Sequence, residues 1–373
     1  MTLNRLQAIG ELGQSVWIDF IERRMLEDGS LARMIENDGV AGVTTNPTIF
    51  DKALASSNDY AADIAQLAAG GNEPAAIVDT LMRQDVARAA DLLRPVHERT
   101  GGADGFVSIE VSPRLAHDTE GTVAEGEYLW AALNRPNVMV KVPGTKEGLP
   151  AIQRLIAAGV NVNVTLLFSV ARYLEVAEAH RQGLKERAVA GKPIGTIASV
   201  ASFFVSRIDS LVDQRLDAAG DKGASTLRGQ AATACAKLAY REFLRLQGDT
   251  VWQQMTALGA RPQRLLWAST STKNPAYSDV RYVDPLIAPQ TVNTMTLETL
   301  AAYRKHGEPA VRIEEDIAQA EILVARLATY GVDLDQIAAE LETDGVRRFA
   351  DSANALRERM RDLVQDKQPH GAA

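Results

Sequence analysis

Short β-rich runs alternate with helical stretches along most of this 373-residue chain. Alternation of this kind predicts right-handed βαβ units and a parallel sheet. Two connections, residues 47–101 and 206–261, are unusually long and wholly helical in character, and the chain is helical again after His306. The predicted strands cover residues 15–20, 42–46, 105–112, 138–143, 160–168, 196–204, 264–270 and 290–295.

Several of these strands carry apolar and polar side chains in strict alternation. In residues 106–112 (FVSIEVS) every second side chain is apolar, and residues 160–167 (VNVNVTLL) repeat the pattern. A parallel strand with helices on both faces would instead be continuously apolar. Because the apolar faces must meet the helices, the polar faces need another shared environment, which the interior of a closed barrel supplies. A doubly wound open sheet would bury those polar groups under helices at a high free-energy cost. We therefore predict an α/β fold, a (β/α)8 TIM barrel with extra helices, as a single domain over residues 1–366 with a disordered tail at 367–373.

The composition excludes several classes of protein. There are 40 Lys and Arg against 48 Asp and Glu, a formal net charge of −8, and no basic block, so we expect no nucleic-acid partner. The N-terminus lacks the apolar core of a signal peptide, and the longest charge-free run contains asparagine, threonine and serine, so we expect no membrane span. The single cysteine, Cys235, cannot form an intrachain disulfide. The sequence predicts a cytoplasmic protein and leaves a homodimer open.

The sequence motifs do not indicate a metal site or a nucleotide-binding site. The five histidines are scattered without paired spacing, which argues against a metal site. No glycine-rich phosphate loop follows a predicted strand. We therefore predict neither a metal nor a nucleotide cofactor.

Lys141 is the residue most suggestive of chemistry. It lies between Val140 and Val142 on a predicted strand, with its side chain on the polar face. Loss of hydration at such a position favours the neutral amine, which can attack a carbonyl carbon. The alternative is a structural lysine that extends beyond the end of the strand or forms an ion pair with Glu110.

Two carboxylates occupy matching polar-face positions on other strands, Asp19 and Glu110. Schiff-base chemistry needs one group that moves the proton of a substrate hydroxyl and another that helps water leave the carbinolamine. Two carboxylates in different environments can divide these roles. The alternative interpretation is charge compensation for Lys141 and nearby arginines.

Further polar residues follow the same strands. Asn46, Thr165 and Ser202 are predicted to face the barrel interior, where they would hold a polyol, although such residues are also ordinary capping groups at strand ends. A cationic pocket for phosphate is suggested by Arg207 after the sixth strand and by Ser271 and Lys273 after the seventh. For Lys273 a solvated surface position is the alternative.

Seven sequence blocks between residues 16 and 275 resemble the transaldolase family, in particular its longer bacterial form. They occur in the family's order, and TDGV at residues 343–346 extends the likeness towards the C-terminus. The blocks are VWIDF, GVTTNPTIF, VSIEVSPRLAHDTEG, VMVKVPGTKEG, NVTLLFS, ASFFVSRID and LLWASTSTKNP.

The resemblance implies a class I aldolase-type barrel that uses no metal and no organic cofactor. It also implies reversible transfer of a dihydroxyacetone unit between sugar phosphates in the non-oxidative pentose phosphate pathway. By motif, Lys141 would form the Schiff base, Asp19 would accept the C4 hydroxyl proton, and Glu110 would act through a water on the carbinolamine.

The same comparison of motifs implies roles for the remaining residues. Asn46 would bind the dihydroxyacetone moiety, Thr165 and Ser202 would position the reacting groups, and Arg207 would bind phosphate. Shorter members carry Ser-x-Arg-Asn where this chain has Ser271-Thr272-Lys273-Asn274, which keeps the charge without the guanidinium fork.

The sequence is also consistent with two alternatives to a transaldolase. The first is a Schiff-base aldolase that releases free dihydroxyacetone. The second is a non-catalytic barrel that binds sugar phosphates.

Overall fold

Eight parallel strands close into a barrel, each paired with its neighbours in chain order and β1 paired with β8. The computed structural model describes residues 3–56 and 58–365. The (β/α)8 barrel predicted from the alternation is therefore confirmed. The strands are β1 Gln14–Ile18, β2 Val40–Val43, β3 Phe106–Glu110, β4 Val138–Pro143, β5 Val162–Leu167, β6 Ser199–Phe204, β7 Arg264–Ala268 and β8 Thr291–Met295.

Helices separate the strands and fill both long connections. Residues 47–101 contain three of them and residues 206–261 contain four, as the sequence predicts. The tail predicted at 367–373 lies outside the described residues. The helices are α1 Arg5–Glu11, α2 Arg23–Glu27, α3 Ser30–Asp38, α4 Pro47–Ser56, α5 Ala61–Ala69, α6 Pro74–Arg99, α7 Thr119–Leu133, α8 Gly148–Ala158, α9 Val170–Val189, α10 Ser206–Ala219, α11 Lys222–Ser225, α12 Ala231–Gln247, α13 Thr250–Ala257, α14 Leu297–His306, α15 Ile317–Thr329 and α16 Leu334–Gln365.

Polar side chains meet inside the barrel, which explains the alternating pattern of the strands. Asn163 on β5 donates to Ser108 Oγ on β3 at 2.9 Å and accepts from Ser202 Oγ on β6 at 2.7 Å. All three residues are buried, so their hydrogen bonds offset the cost of removing them from water. Nearer the N-terminal ends of the strands, Trp17 fills the interior. Its ring lies where a Cβ on Gly42 would be, at 2.4 Å, which explains a glycine in the middle of β2.

Most of the predicted strands end one to three residues later than the observed ones, and two of them, β2 and β5, show a local cause for a departure from prediction near the C-terminal end. The strand predicted at 42–46 is observed as β2 at Val40–Val43, because the chain then turns into α4, where Asn46 Oδ1 accepts from the Ile49 N–H at 3.1 Å. In β5 the alternation predicts that Leu166 faces the surrounding helices. That expectation is wrong, since Leu166 has a φ of +63° and contacts Gly345 of α16.

The long C-terminal helix α16 lies across the C-terminal ends of the strands. It packs against β5, against α4 and α10, and against the short 3₁₀ turn Pro113–Leu115 that follows β3. Helices α4 and α10 and the 3₁₀ turn follow the C-terminal ends of β2, β6 and β3. Enzymes with this fold have their active sites at this end of the barrel. The helix therefore forms part of the roof of this end.

Among the described residues, none of the helices combines the length and hydrophobicity needed to cross a lipid bilayer.

Candidate active site

Lys141 lies on β4 with its amine inside the protein. The residue is 4% exposed, and its Nζ donates to the Thr45 carbonyl oxygen at 3.1 Å. The ring of Phe349, from α16, lies over the amine with its centroid 5.6 Å from Nζ. The alternative of a lysine that extends out into solvent is therefore wrong. The amine is instead enclosed between the turn after β2 and the C-terminal helix.

Glu110 is the direct neighbour of Lys141 on the adjacent strand, β3, in the parallel register. Neither carboxylate oxygen has a hydrogen-bond partner in the described part of the chain. Burial raises the pKa of Glu110 to about 7, Lys141 opposes this rise, and Asp19 adds to it. At neutral pH the group can therefore both give and take a proton, as a general acid–base catalyst must.

Asp19 follows directly after β1 and is half-buried. Its Oδ1 accepts from Thr44 Oγ1 at 2.7 Å, and Thr44 lies 2.7 Å from the hydroxyl of Thr294 on β8. This arrangement fixes the carboxylate at the mouth of the barrel. The influence of Asp19 on the pKa of Glu110 shows that the two acids lie within electrostatic reach of each other. Lys141 and both predicted acids are thus brought together.

The polar residues predicted around the lysine lie in three different settings. Thr165 is buried and its Oγ1 has no hydrogen-bond partner among residues 3–56 and 58–365, so its hydrogen-bonding capacity is unused within the protein. Ser202 is buried and engaged with Asn163, which makes it a member of the interior network. Asn46 is half-buried and caps α4 through its Oδ1, next to Thr45, whose carbonyl accepts from Lys141. Asn46 therefore caps α4 and also directly follows the residue whose carbonyl accepts from the amine.

The predicted cationic residues also converge. Arg207, at the start of α10, is half-buried, and its buried Nη1 has no hydrogen-bond partner within the described ranges. Lys273 donates to Ser271 Oγ at 2.5 Å and is exposed on its outer side. Desolvation and the neighbouring Arg207 lower the pKa of Lys273. A lysine whose charged form is disfavoured by a neighbouring arginine marks a favourable site for an anion.

Three residues that were not predicted from the sequence complete the site. Thr44, whose hydroxyl donates to Asp19, could have been predicted. It precedes Asn46 by two residues and therefore belongs to the same face of an alternating strand. Phe349 and Arg348 are contributed by α16. The pKa of Arg207 is lowered by its desolvation and by Arg348. No short-range signal reveals these two, because their proximity depends on where a distant helix packs.

The described residues contain no cluster of three or more His, Cys, Asp or Glu side chains able to hold a metal ion.

Comparison with known proteins agrees with the geometry. Residues 16–360 match the family model described as Transaldolase/Fructose-6-phosphate aldolase. The chain belongs to this family. A protein named Transaldolase from Thiobacillus denitrificans is 47% identical over 354 residues, covering 95% of this chain and 99% of that protein. A Transaldolase from Saccharopolyspora erythraea is 46% identical, covering 98% and 99%, and Transaldolase 2 from a Nostoc species is 43% identical, covering 95% and 96%.

The match to the family model starts at Val16 in β1 and ends at Met360 in α16. It therefore includes nearly all of the barrel and most of the C-terminal helix. The helix over the mouth is therefore part of the matched unit.

Proposed function

We propose that this protein is a transaldolase, a transferase of aldehyde or ketone residues. It moves a dihydroxyacetone unit reversibly from sedoheptulose 7-phosphate or fructose 6-phosphate to glyceraldehyde 3-phosphate or erythrose 4-phosphate. Family membership and the names of the relatives support this activity. The single structural observation that carries the mechanism is the buried amine of Lys141 beside the unpartnered carboxyl group of Glu110.

Schiff-base formation is the first step. The amine of Lys141 attacks the C2 carbonyl carbon of the ketose, and the carbinolamine then loses its oxygen as water. Glu110 supplies the proton for the leaving hydroxyl, through a bound water, and later takes it back. A carboxyl group with a pKa near neutrality suits both directions.

Carbon–carbon cleavage follows from the iminium. Asp19 takes the proton from the C4 hydroxyl, the C3–C4 bond breaks, and its electron pair forms the C2=C3 double bond of an enamine on Lys141. The first aldehyde leaves. The acceptor aldehyde is then attacked by C3, its oxygen recovers the proton from Asp19, and hydrolysis of the new iminium releases the product ketose.

Substrate phosphate is bound at the mouth by Arg207 and Lys273, with Ser271 orienting the lysine. Asn46 and Thr165 hold hydroxyl groups of the dihydroxyacetone unit, and the Ser202 network keeps the strands in register. Unpartnered groups on Arg207 and Thr165 support these assignments.

The activity is tested by mixing the protein with fructose 6-phosphate in the presence and absence of erythrose 4-phosphate. We expect sedoheptulose 7-phosphate to form only with the acceptor, and glyceraldehyde 3-phosphate release to depend strongly on it. Rapid cleavage without an acceptor, with stoichiometric free dihydroxyacetone, would identify an aldolase instead. Binding without turnover would identify a non-catalytic barrel. Lys141→Ala is the inactive control, and Lys146→Ala, an exposed lysine five residues away, is the matched active control.

We further propose a cytoplasmic location and a homodimer. Phosphorylated sugars are charged and are metabolised where they are made, which supports the location. Leu244, Val251 and Leu258 on and beside α12 and α13 are 39%, 42% and 69% exposed and offer apolar surface for a second subunit. Sedimentation of the purified protein tests the assembly: a dimer is expected, and a monomer at micromolar concentration contradicts it.

A further inference from the structure

Helix α16 spans the mouth of the barrel and is fixed at several points along its length. Near its N-terminal end, Glu340 accepts from Arg215 of α10 at 2.6 Å. Further along, Ser352 lies 2.8 Å from the Thr48 hydroxyl of α4, and Asp51 of α4 pairs with Arg359 at 2.7 Å. These contacts join the segments after β6 and after β2, on opposite sides of the barrel. The helix is therefore held as a bridge over the site.

The middle of this bridge is pressed close to the strands. A Cβ on Gly345 would lie 2.9 Å from Leu166 Cδ2, so the helix backbone approaches the side chains of β5 closely at this point. One turn later Phe349 is 6% exposed, and its ring faces Nζ of Lys141. Phe349 is thus the side chain through which α16 covers the reactive nitrogen.

We propose that Phe349 is a positioning residue that covers the Schiff base and sets the ratio of transfer to hydrolysis. The inference rests on the proposed function. After the first aldehyde leaves, the enamine on Lys141 has two fates. Attack of C3 on an acceptor aldehyde gives transfer. Addition of a proton to C3 followed by addition of water to C2 breaks the C–N bond, consumes one water molecule and releases dihydroxyacetone together with the free amine.

An apolar ring over Nζ opposes the second fate and supports the first. Because the ring is apolar and lies over Nζ, it hinders the approach of water to the substrate carbon atoms nearest that nitrogen. Its π face also stabilises a positive nitrogen, by an amount equivalent to roughly two- to thirtyfold in an equilibrium constant. The ketose iminium is cationic, so this contact favours its formation and hence carbon–carbon cleavage. The enamine is protected from hydrolysis by the exclusion of water and not by the π face.

The test measures two quantities in the full-length protein with fructose 6-phosphate. The first is the ratio of free dihydroxyacetone to sedoheptulose 7-phosphate at a fixed concentration of erythrose 4-phosphate. The second is the fraction of protein trapped as a borohydride-reduced adduct on Lys141. For Phe349→Ala we expect the ratio to rise about tenfold or more and the trapped fraction to fall. For Phe349→Leu, which keeps an apolar cover without a π face, we expect a smaller rise in the ratio and a similar fall in trapping.

Leu356→Ala is the matched control, because Leu356 is a buried apolar residue of the same helix, 2% exposed, and lies two turns further along. We expect it to lower thermal stability and to leave the product ratio unchanged. An equal rise in the ratio for Leu356→Ala and Phe349→Ala overturns the proposal, because loosening of the helix then explains the effect. An unchanged ratio in Phe349→Leu and Phe349→Ala also overturns it. If the wild-type protein forms no adduct on Lys141, the proposed function fails instead, so the two failures are distinguishable.

Discussion

The buried carboxyl group of Glu110 makes a quantitative prediction about stability and pH. Its folded-state pKa is about 7, against an ordinary value of 4.5, and burial is the main cause. Between these two values the folded protein binds more protons than the unfolded chain. Stability therefore falls as the pH rises through this window. The stabilising contribution is complete below pH 4.5 and is lost above pH 7.

The size of the effect follows from the shift in pKa. A shift from 4.5 to about 7 corresponds to about 3 kcal/mol in the free energy of unfolding, most of which falls between pH 5 and pH 8. Because Glu110 is almost fully buried, solvent screening does not reduce this figure appreciably. Glu110→Gln keeps the shape and removes the titration. Relative to the wild type, the variant should therefore gain about 2 to 3 kcal/mol in the free energy of unfolding between pH 5 and pH 8.

Urea denaturation of both proteins at pH 5 and pH 8 measures this difference. Glu127→Gln, at an exposed carboxylate of α7, is the control and should show no comparable gain. A stability difference between wild type and Glu110→Gln that does not change with pH would show that Glu110 does not titrate in this range in the folded protein. The same variant should form the borohydride-trappable adduct more slowly, since it cannot supply a proton to the carbinolamine.

Three further substitutions test separate parts of the site. Arg207→Ala removes a charged phosphate contact and should raise the KM for fructose 6-phosphate roughly tenfold to hundredfold. The control Arg181→Ala, on the surface of α9, should leave this KM unchanged. Equal KM values for the two variants would contradict the phosphate assignment. Asp19→Asn should leave adduct formation on the lysine intact and slow carbon–carbon cleavage by about a hundredfold or more, and stopped-flow data with the opposite pattern would reject the role. Thr44→Val removes the 2.7 Å hydrogen bond to Asp19 and should lower kcat about fivefold at constant KM, while an unchanged kcat would mean that Asp19 is held by other contacts.

Much of the barrel could be predicted from the sequence because its pattern has a local physical cause. Alternation of apolar and polar residues follows directly from the two-residue repeat of a strand, and polar faces need a closed interior. The same alternation placed Asp19, Glu110 and Lys141 on interior faces. Parallel register then brings Glu110 beside Lys141 on adjacent strands.

Features that depend on distant packing could not be predicted in this way. The position of α16 over the mouth results from contacts with α4, α10 and β5, which are far apart in the chain. Phe349 is separated from Lys141 by more than half of the sequence, and no spacing rule relates them. The positive φ of Leu166 in β5 could not be predicted from the local sequence either, because leucine rarely adopts this conformation. The residue is held in it within the packed structure, where it contacts Gly345.

Reduction with borohydride in the presence of fructose 6-phosphate, followed by peptide mass analysis, shows whether Lys141 forms the Schiff base. We expect one added dihydroxyacetone-derived mass, or that of the intact sugar phosphate, on the peptide carrying Lys141, and its loss in a folded Lys141→Ala protein. An adduct on Lys146, or no adduct on an active wild-type enzyme, would contradict this expectation.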